Sequence, residues 1–146
     1  MERITRDQMG MAMAVIASLR STCKRKQVGA VIVRDGRVLS IGYAGAPSGF
    51  PHCSDAVCDL STPCERTVHA EANAIAFAAK EGIAVHGASI YTTCSPCINC
   101  AKLLINSGIK KVYYLEEYRD TAPLTLLQEA HILVSSMVMP PELLKD

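Results

Sequence analysis

The segment HAEANAIAFAAKEG, residues 69–82, opens with a histidine and a glutamate separated by one alanine, and TCSPCINC, residues 93–100, carries Cys97 and Cys100 three positions apart. Two thiols at that spacing in the first turn of a helix face the same way. Together they bind one soft divalent ion, and the positive end of the helix dipole favours their deprotonated form. His69 can add a neutral imidazole. A His-Cys-Cys set leaves a fourth position open, as catalytic rather than structural zinc requires, and zinc lowers the pKa of bound water from about 15.7 to about 7. Glu71 stands close to the histidine without needing to be a ligand, so it can take a proton from water and return it to a substrate nitrogen.

Each piece alone has an ordinary reading. A histidine at a helix start is often a cap or a surface residue, a single C-x-x-C also suits a redox pair or half of a structural zinc site, and Glu71 would complement a helix dipole. The combination of H-x-E and P-C-x-x-C, each at a helix mouth and the second after a strand, favours the catalytic reading.

The elements that must position these groups are legible in outline. Six alanines in residues 70–79 give the first segment high helix propensity, and Gly82 is a C-terminal stop. In the second, Ser95 suits the N-cap and Pro96 the first helical position, with Gly108 ending the helix after Ser107. Upstream, Thr5 and Gln8 form a capping box before apolar residues at Met9, Met13, Ile16, Ala17 and Leu19, an amphipathic helix. VGAVIV (28–33) and RVLSIGY (37–43) read as a hairpin about Asp35-Gly36. Residues 44–64, rich in Gly, Pro, Ser and Cys, read as a long loop. A strand at 88–93, a strand at 110–115, a helix near 121–130, a short strand HILVSS and a tail complete the chain. Strands alternating with helices argue an α/β sandwich with helices on the sheet faces.

With 146 residues, 49% hydrophobic and 20% charged, the chain is expected to form one domain over 1–146. It shows no internal repeat. No apolar run approaches the ~20 residues that span a bilayer, and the N-terminus lacks the basic-then-apolar layout of a secretory signal. A cytoplasmic protein is expected. Seven cysteines are then metal ligands or reduced thiols rather than a disulfide framework. The net charge of +1 favours a small substrate over a polynucleotide.

The stretches RSTCKRKQVGAVIV, GYAGAPSGFPHC, RTVHAEANAI, TCSPCINCAKLLINSGIKKVYY and EEYRD together make the sequence resemble the zinc-dependent cytidine deaminase superfamily, most closely the deoxycytidylate (dCMP) deaminase family, over nearly the whole chain. The resemblance implies a three-layer sandwich with a mixed five-stranded sheet flanked by helices. It implies His69, Cys97 and Cys100 as zinc ligands, Glu71 as proton shuttle, and deamination of dCMP to dUMP and ammonia, supplying thymidylate synthesis. Substrate-binding positions carried over are Arg25, Ala44, Ala70, Ser95, Tyr118 and Arg119. Arg25 falls at the position that grips the phosphate, although three cations in CKRK after a helix also suit a solvated face; Tyr118 suits either the phosphate end or an ordinary half-buried aromatic. Family members are commonly oligomeric, often hexameric, and some respond to dCTP and dTTP as effectors. The sequence departs from the family's G-Y-N-G at Ala44 in GYAG, where a methyl cannot make the amide's hydrogen bonds; this admits dCTP or a 5-substituted dCMP as substrate.

Cys53, Cys58 and Cys64 crowd twelve residues of the long loop, with His52 beside Cys53, and with Cys23 they suggest a second, closed, structural zinc. Buried free thiols are the alternative. Two further functions compete. A tRNA adenosine deaminase shares the H-x-E and P-C-x-x-C pattern, and a zinc-stabilised interaction module would use both clusters only for folding, with no use for Glu71.

Overall fold

The computed structural model describes residues 2–53, 64–140 and 143. Helix α1 (Arg6–Ser18) is followed by strands β1 (Gly29–Arg34) and β2 (Arg37–Tyr43), helix α2 (Ala70–Lys80), strand β3 (Ser89–Cys94), helix α3 (Ile98–Asn106), strand β4 (Lys111–Glu116), helix α4 (Ala122–Glu129) and strand β5 (Leu133–Ser136). The five strands form one mixed sheet in the order β2-β1-β3-β4-β5. β1 is antiparallel to β2 and β3, while β3, β4 and β5 run parallel. This is the five-stranded mixed sheet flanked by helices that the sequence implied. No helix among the described residues is long and apolar enough to cross a membrane.

Alternation along the strands divides the core. Ile32, Ile90 and Val112 face the layer of α2, α3 and α4, and Val31, Tyr91 and Tyr113 face α1. The capping box forms as expected. Thr5 Oγ1 accepts from the Gln8 N–H at 3.0 Å, and Gln8 Oε1 accepts from the Thr5 N–H at 2.8 Å. Asp35 and Gly36 have φ of 53° and 73°. That is the left-handed pair which a two-residue hairpin turn with the native strand twist requires.

Two features fix α2 over the sheet. Its inward stripe is small, Ala70, Ala74 and Ala78, each buried. Opposite it lies Gly42, where a Cβ would collide with the Ala70 carbonyl oxygen and come within 2.5 Å of the Ala74 nitrogen. Helix and strand therefore meet backbone to backbone. Side chains then lock the register: Ser40 Oγ donates to the Ala74 carbonyl at 2.7 Å, and Asn73 Nδ2 donates to the Tyr43 carbonyl at 2.9 Å.

The sequence reading needs correction at three helix and strand starts. α3 begins at Ile98, and its N-cap is Cys97, not Ser95. One of the terminal N–H groups there is satisfied by sulfur: the Cys100 N–H donates to Cys97 Sγ at 3.5 Å. α2 likewise begins after His69, which is itself the N-cap residue in extended conformation. β5 begins at Leu133, since His131 takes a left-handed φ of 63° after α4.

Candidate active site and metal centre

The C-terminal end of β3 and the first turns of α2 and α3 converge. His69, Cys97 and Cys100 each bring one ligand atom to this point, all within 4.8 Å of one another. His69 Nδ1 lies 3.4 Å from Cys97 Sγ and 3.5 Å from Cys100 Sγ. A tetrahedral zinc with Zn–S of about 2.3 Å and Zn–N of about 2.05 Å has an N···S edge of about 3.6 Å, so the three donors fit that ion. Among the described residues no other group of three or more such side chains is gathered in this way.

The electrostatics point the same way. The Cys97 thiol is pulled down to about 3, first by the hydrogen bond from the Cys100 thiol and then by His69. Cys100 is pushed far above the usual thiol range by that same bond, with burial adding to it. His69 is raised, chiefly by its hydrogen bond with Cys97. Three donors sharing protons at these distances are a set whose protons a divalent cation displaces.

Glu71 lies behind the cluster at 4% exposure. Its Oε1 accepts a hydrogen bond from Thr92 Oγ1 at 2.8 Å, and the Cys100 thiol is a second side-chain partner. Burial raises the Glu71 carboxyl above the ordinary range, and the Thr92 and Cys100 bonds pull in the opposite direction. A carboxyl held in this way can accept a proton and release it again.

The cluster opens into a cavity of about 250 Å³ whose lining includes His69, Glu71 and Cys97. Of the substrate positions read from the sequence, Arg25, Ala44, Ala70, Ser95 and Tyr118 line this cavity, and Arg119 is exposed outside it. Ser95, released from the capping role, accepts the Tyr118 N–H on Oγ at 2.8 Å and so ties the β4 exit to the α3 entrance. Cys23 and Cys64 also line the cavity, and Cys53 is buried. Cys53 and Cys64 flank one hydroxyl, with Thr67 Oγ1 at 3.8 Å and 3.4 Å from their sulfurs. Cys58 lies outside the described residues.

Three residues of the site escaped the sequence reading. Thr92 is fully buried on the face of β3 that carries Ile90 and Cys94. This polar member of an apolar alternation was the available signal. Cys94 is buried beside Lys26. Lys26 sits with Nζ 3.5 Å from Glu116 Oε2 and 4.8 Å from the centre of the Tyr118 ring. Partial burial pulls Lys26 down, but Cys94, Glu116 and Tyr118 together more than offset this and hold its ammonium above the usual lysine value.

Comparison with known proteins agrees with this geometry. Residues 4–116 match the family described as cytidine and deoxycytidylate deaminase zinc-binding region. ComE operon protein 2 of Bacillus subtilis is 49% identical over 82% of the chain, which spans 64% of that relative's length. The deoxycytidylate deaminase of Mycobacterium phage D29 is 40% identical, with 80% of this chain and 99% of the relative covered. The crystal structure of dCMP deaminase from the cyanophage S-TIM5 in complex with dCMP and dUMP superposes with a TM-score of 0.84 at 36% identity, covering 94% of this chain and all of that one. The chain, whose helices α2 and α3 bring His69 and the Cys97–Cys100 pair to one point and which is matched over these residues, belongs to the cytidine and deoxycytidylate deaminase zinc-binding family.

Proposed function

We propose that the chain, acting as one domain over 1–146, is a zinc-dependent deaminase that converts dCMP and water to dUMP and ammonia. The observation that carries this reading is Glu71, a buried carboxyl in contact with Cys100 at the wall of an open cavity, where a purely structural metal site has no use for it. His69, Cys97 and Cys100 would hold the zinc, which when bound acts as a Lewis acid and makes water a nucleophile at neutral pH. Glu71 accepts the two protons of the water in turn, passing the first to ring N3 of the cytosine and the second, taken from the hydroxyl newly added at C4, to the departing amino nitrogen as the C4–N bond breaks. Thr92 holds the carboxyl in place, and Ala70 and Ser95 shape the cavity around the base. Arg25 takes the phosphate, with Tyr118 elsewhere in the same lining.

The relatives named deoxycytidylate deaminase and the dCMP-bound structure support the choice of nucleotide. A second, structural zinc on Cys23, Cys53, Cys58 and Cys64 follows from the family reading alone: among the described residues Cys23, Cys53 and Cys64 are not gathered at metal-ligand distances, although Cys53 and Cys64 both approach Thr67 Oγ1. A homo-oligomer, up to a hexamer, and regulation by dCTP and dTTP follow from the family reading. A cytoplasmic setting suits a chain with six free cysteines among the described residues.

The test is ammonia release by zinc-replete protein from dCMP, 5-methyl-dCMP, deoxycytidine and an adenosine-containing tRNA hairpin. Turnover of dCMP well above deoxycytidine and the hairpin is the expected result. Release from the hairpin alone would overturn the assignment.

A further inference from the structure

Lys26 lines the metal-bearing cavity and has no part in the reaction described above. It precedes β1, and its ammonium reaches across the end of β3 to the exit of β4, since β1 lies beside β3 and β3 beside β4. Three groups receive it there. The Cys94 sulfur is a hydrogen-bond partner, Glu116 Oε2 stands 3.5 Å from Nζ, and the Tyr118 ring centre stands at 4.8 Å. The backbone beneath these groups is already tied. Cys94 pairs with Glu116 across the parallel ladder, the Ser95 N–H donates to the Glu116 carbonyl at 2.8 Å, and the Tyr118 N–H donates to Ser95 Oγ at 2.8 Å. The main chain of Tyr118 is therefore fixed, while its ring, in a residue 49% exposed on the cavity wall, lies over the Lys26 ammonium.

We propose that Lys26 is a positioning residue for the substrate: its ammonium, gripped by Cys94 and Glu116, holds the Tyr118 ring as a preformed wall of the cavity. The proposal rests on the dCMP deaminase reading and adds to that site a residue that acts through Tyr118 rather than on the reacting atoms. An ammonium has three hydrogens. Cys94 and Glu116 engage it from one side and the ring from another, so it is occupied before any ligand arrives. An exposed aromatic side chain at a strand exit samples several rotamers, and a ligand that packs on it must first order it. A cation seated on the ring face does this in advance. The cost spared is that of immobilising one side chain, about two- to tenfold in affinity. Folding gains little from the same contacts, because Glu116 is 71% exposed and an ion pair so open to water is worth little. The effect of Lys26 therefore falls on binding and not on stability.

The experiment uses the zinc-loaded protein and measures kcat and KM for dCMP, together with Kd for dUMP and for deoxyuridine by calorimetry. Lys26→Met keeps the stem and removes the charge. It is expected to raise KM and both Kd values by the same factor, about two- to tenfold, with kcat, zinc content and melting temperature close to wild type. Lys26→Arg, which keeps a cation over the ring, should restore the wild-type values. In a Tyr118→Leu background the Lys26→Met change should add nothing, since the two residues act as one. The ring resonances of Tyr118, assigned by their loss in Tyr118→Leu, should shift in Lys26→Met, a readout that needs no turnover. A loss on dUMP much larger than on deoxyuridine would make Lys26 a phosphate contact and overturn the proposal. So would unchanged affinities, additive losses in the double variant, an unmoved ring signal, or a fall in melting temperature with KM unaltered. Any of these in a protein that deaminates dCMP leaves the dCMP reading standing, whereas a wild-type protein that deaminates no cytosine nucleotide removes both.

Discussion

Thr92→Val removes one hydrogen bond from the proposed proton carrier and little else. The hydroxyl has a single hydrogen and two acceptors in reach, Glu71 Oε1 at 2.8 Å and the Cys94 carbonyl at 2.9 Å. An ionised carboxylate is the stronger acceptor, so Glu71 holds that hydrogen when charged. Thr92 is fully buried and Glu71 nearly so, and no solvent replaces the lost donor. A hydrogen bond to a charged group is worth about 1.5 to 3 kcal/mol, which is roughly ten- to a hundredfold in kcat/KM if it is made to the reacting carboxylate. The sign of the pH effect follows from the causes acting on Glu71. Burial raises its carboxyl and the Thr92 bond lowers it, so deleting the bond moves it further up. The unprotonated form that accepts a proton is then reached only at higher pH, and the acid limb of kcat/KM against pH shifts upward. The assay is dCMP deamination across the acid limb, with zinc content and melting temperature measured alongside, and Thr92→Ser as the variant that restores the donor. A folded, zinc-loaded Thr92→Val protein with the wild-type rate and an unmoved acid limb would refute the reasoning.

Two further outcomes are expected. Arg25→Ala should lower kcat/KM on dCMP by about ten- to a hundredfold more than on deoxycytidine, which has no phosphate to lose; equal losses would make Arg25 a structural residue. Cys58→Ser should cost one zinc equivalent and lower the melting temperature while activity persists at low temperature, because structural zinc binding is folding free energy; a wild-type chain holding a single zinc would remove that second site.

Local signals were legible and long-range ones were not. The Thr5–Gln8 box, the Asp35–Gly36 turn and the glycine stops at Gly82 and Gly108 are rules written within a few residues, and each is realised, the two stops with φ of 68° and 81°. The H-x-E and C-x-x-C spacings were readable because each places its groups within one helix turn. The cap of α3 misled because Ser95 and Pro96 have the preferred types, yet a thiol one position further accepts the N–H. Thr92 meets Glu71 across 21 positions of sequence, and Lys26, just before β1, meets Glu116 at the end of β4. Such contacts depend on β1 lying beside β3, which no local pattern specifies. Gly42 belongs to the same class, since its need for no side chain appears only once α2 is laid on β2.

The central claim is that Glu71 moves the proton while His69, Cys97 and Cys100 hold the metal. Measuring zinc content and dCMP deamination together on Glu71→Ala tests it most directly. The account predicts a folded protein that keeps its catalytic zinc and loses about 10²- to 10⁴-fold in rate, the scale of a general acid–base group. A Glu71→Ala protein that keeps its zinc and deaminates dCMP at the wild-type rate would contradict it.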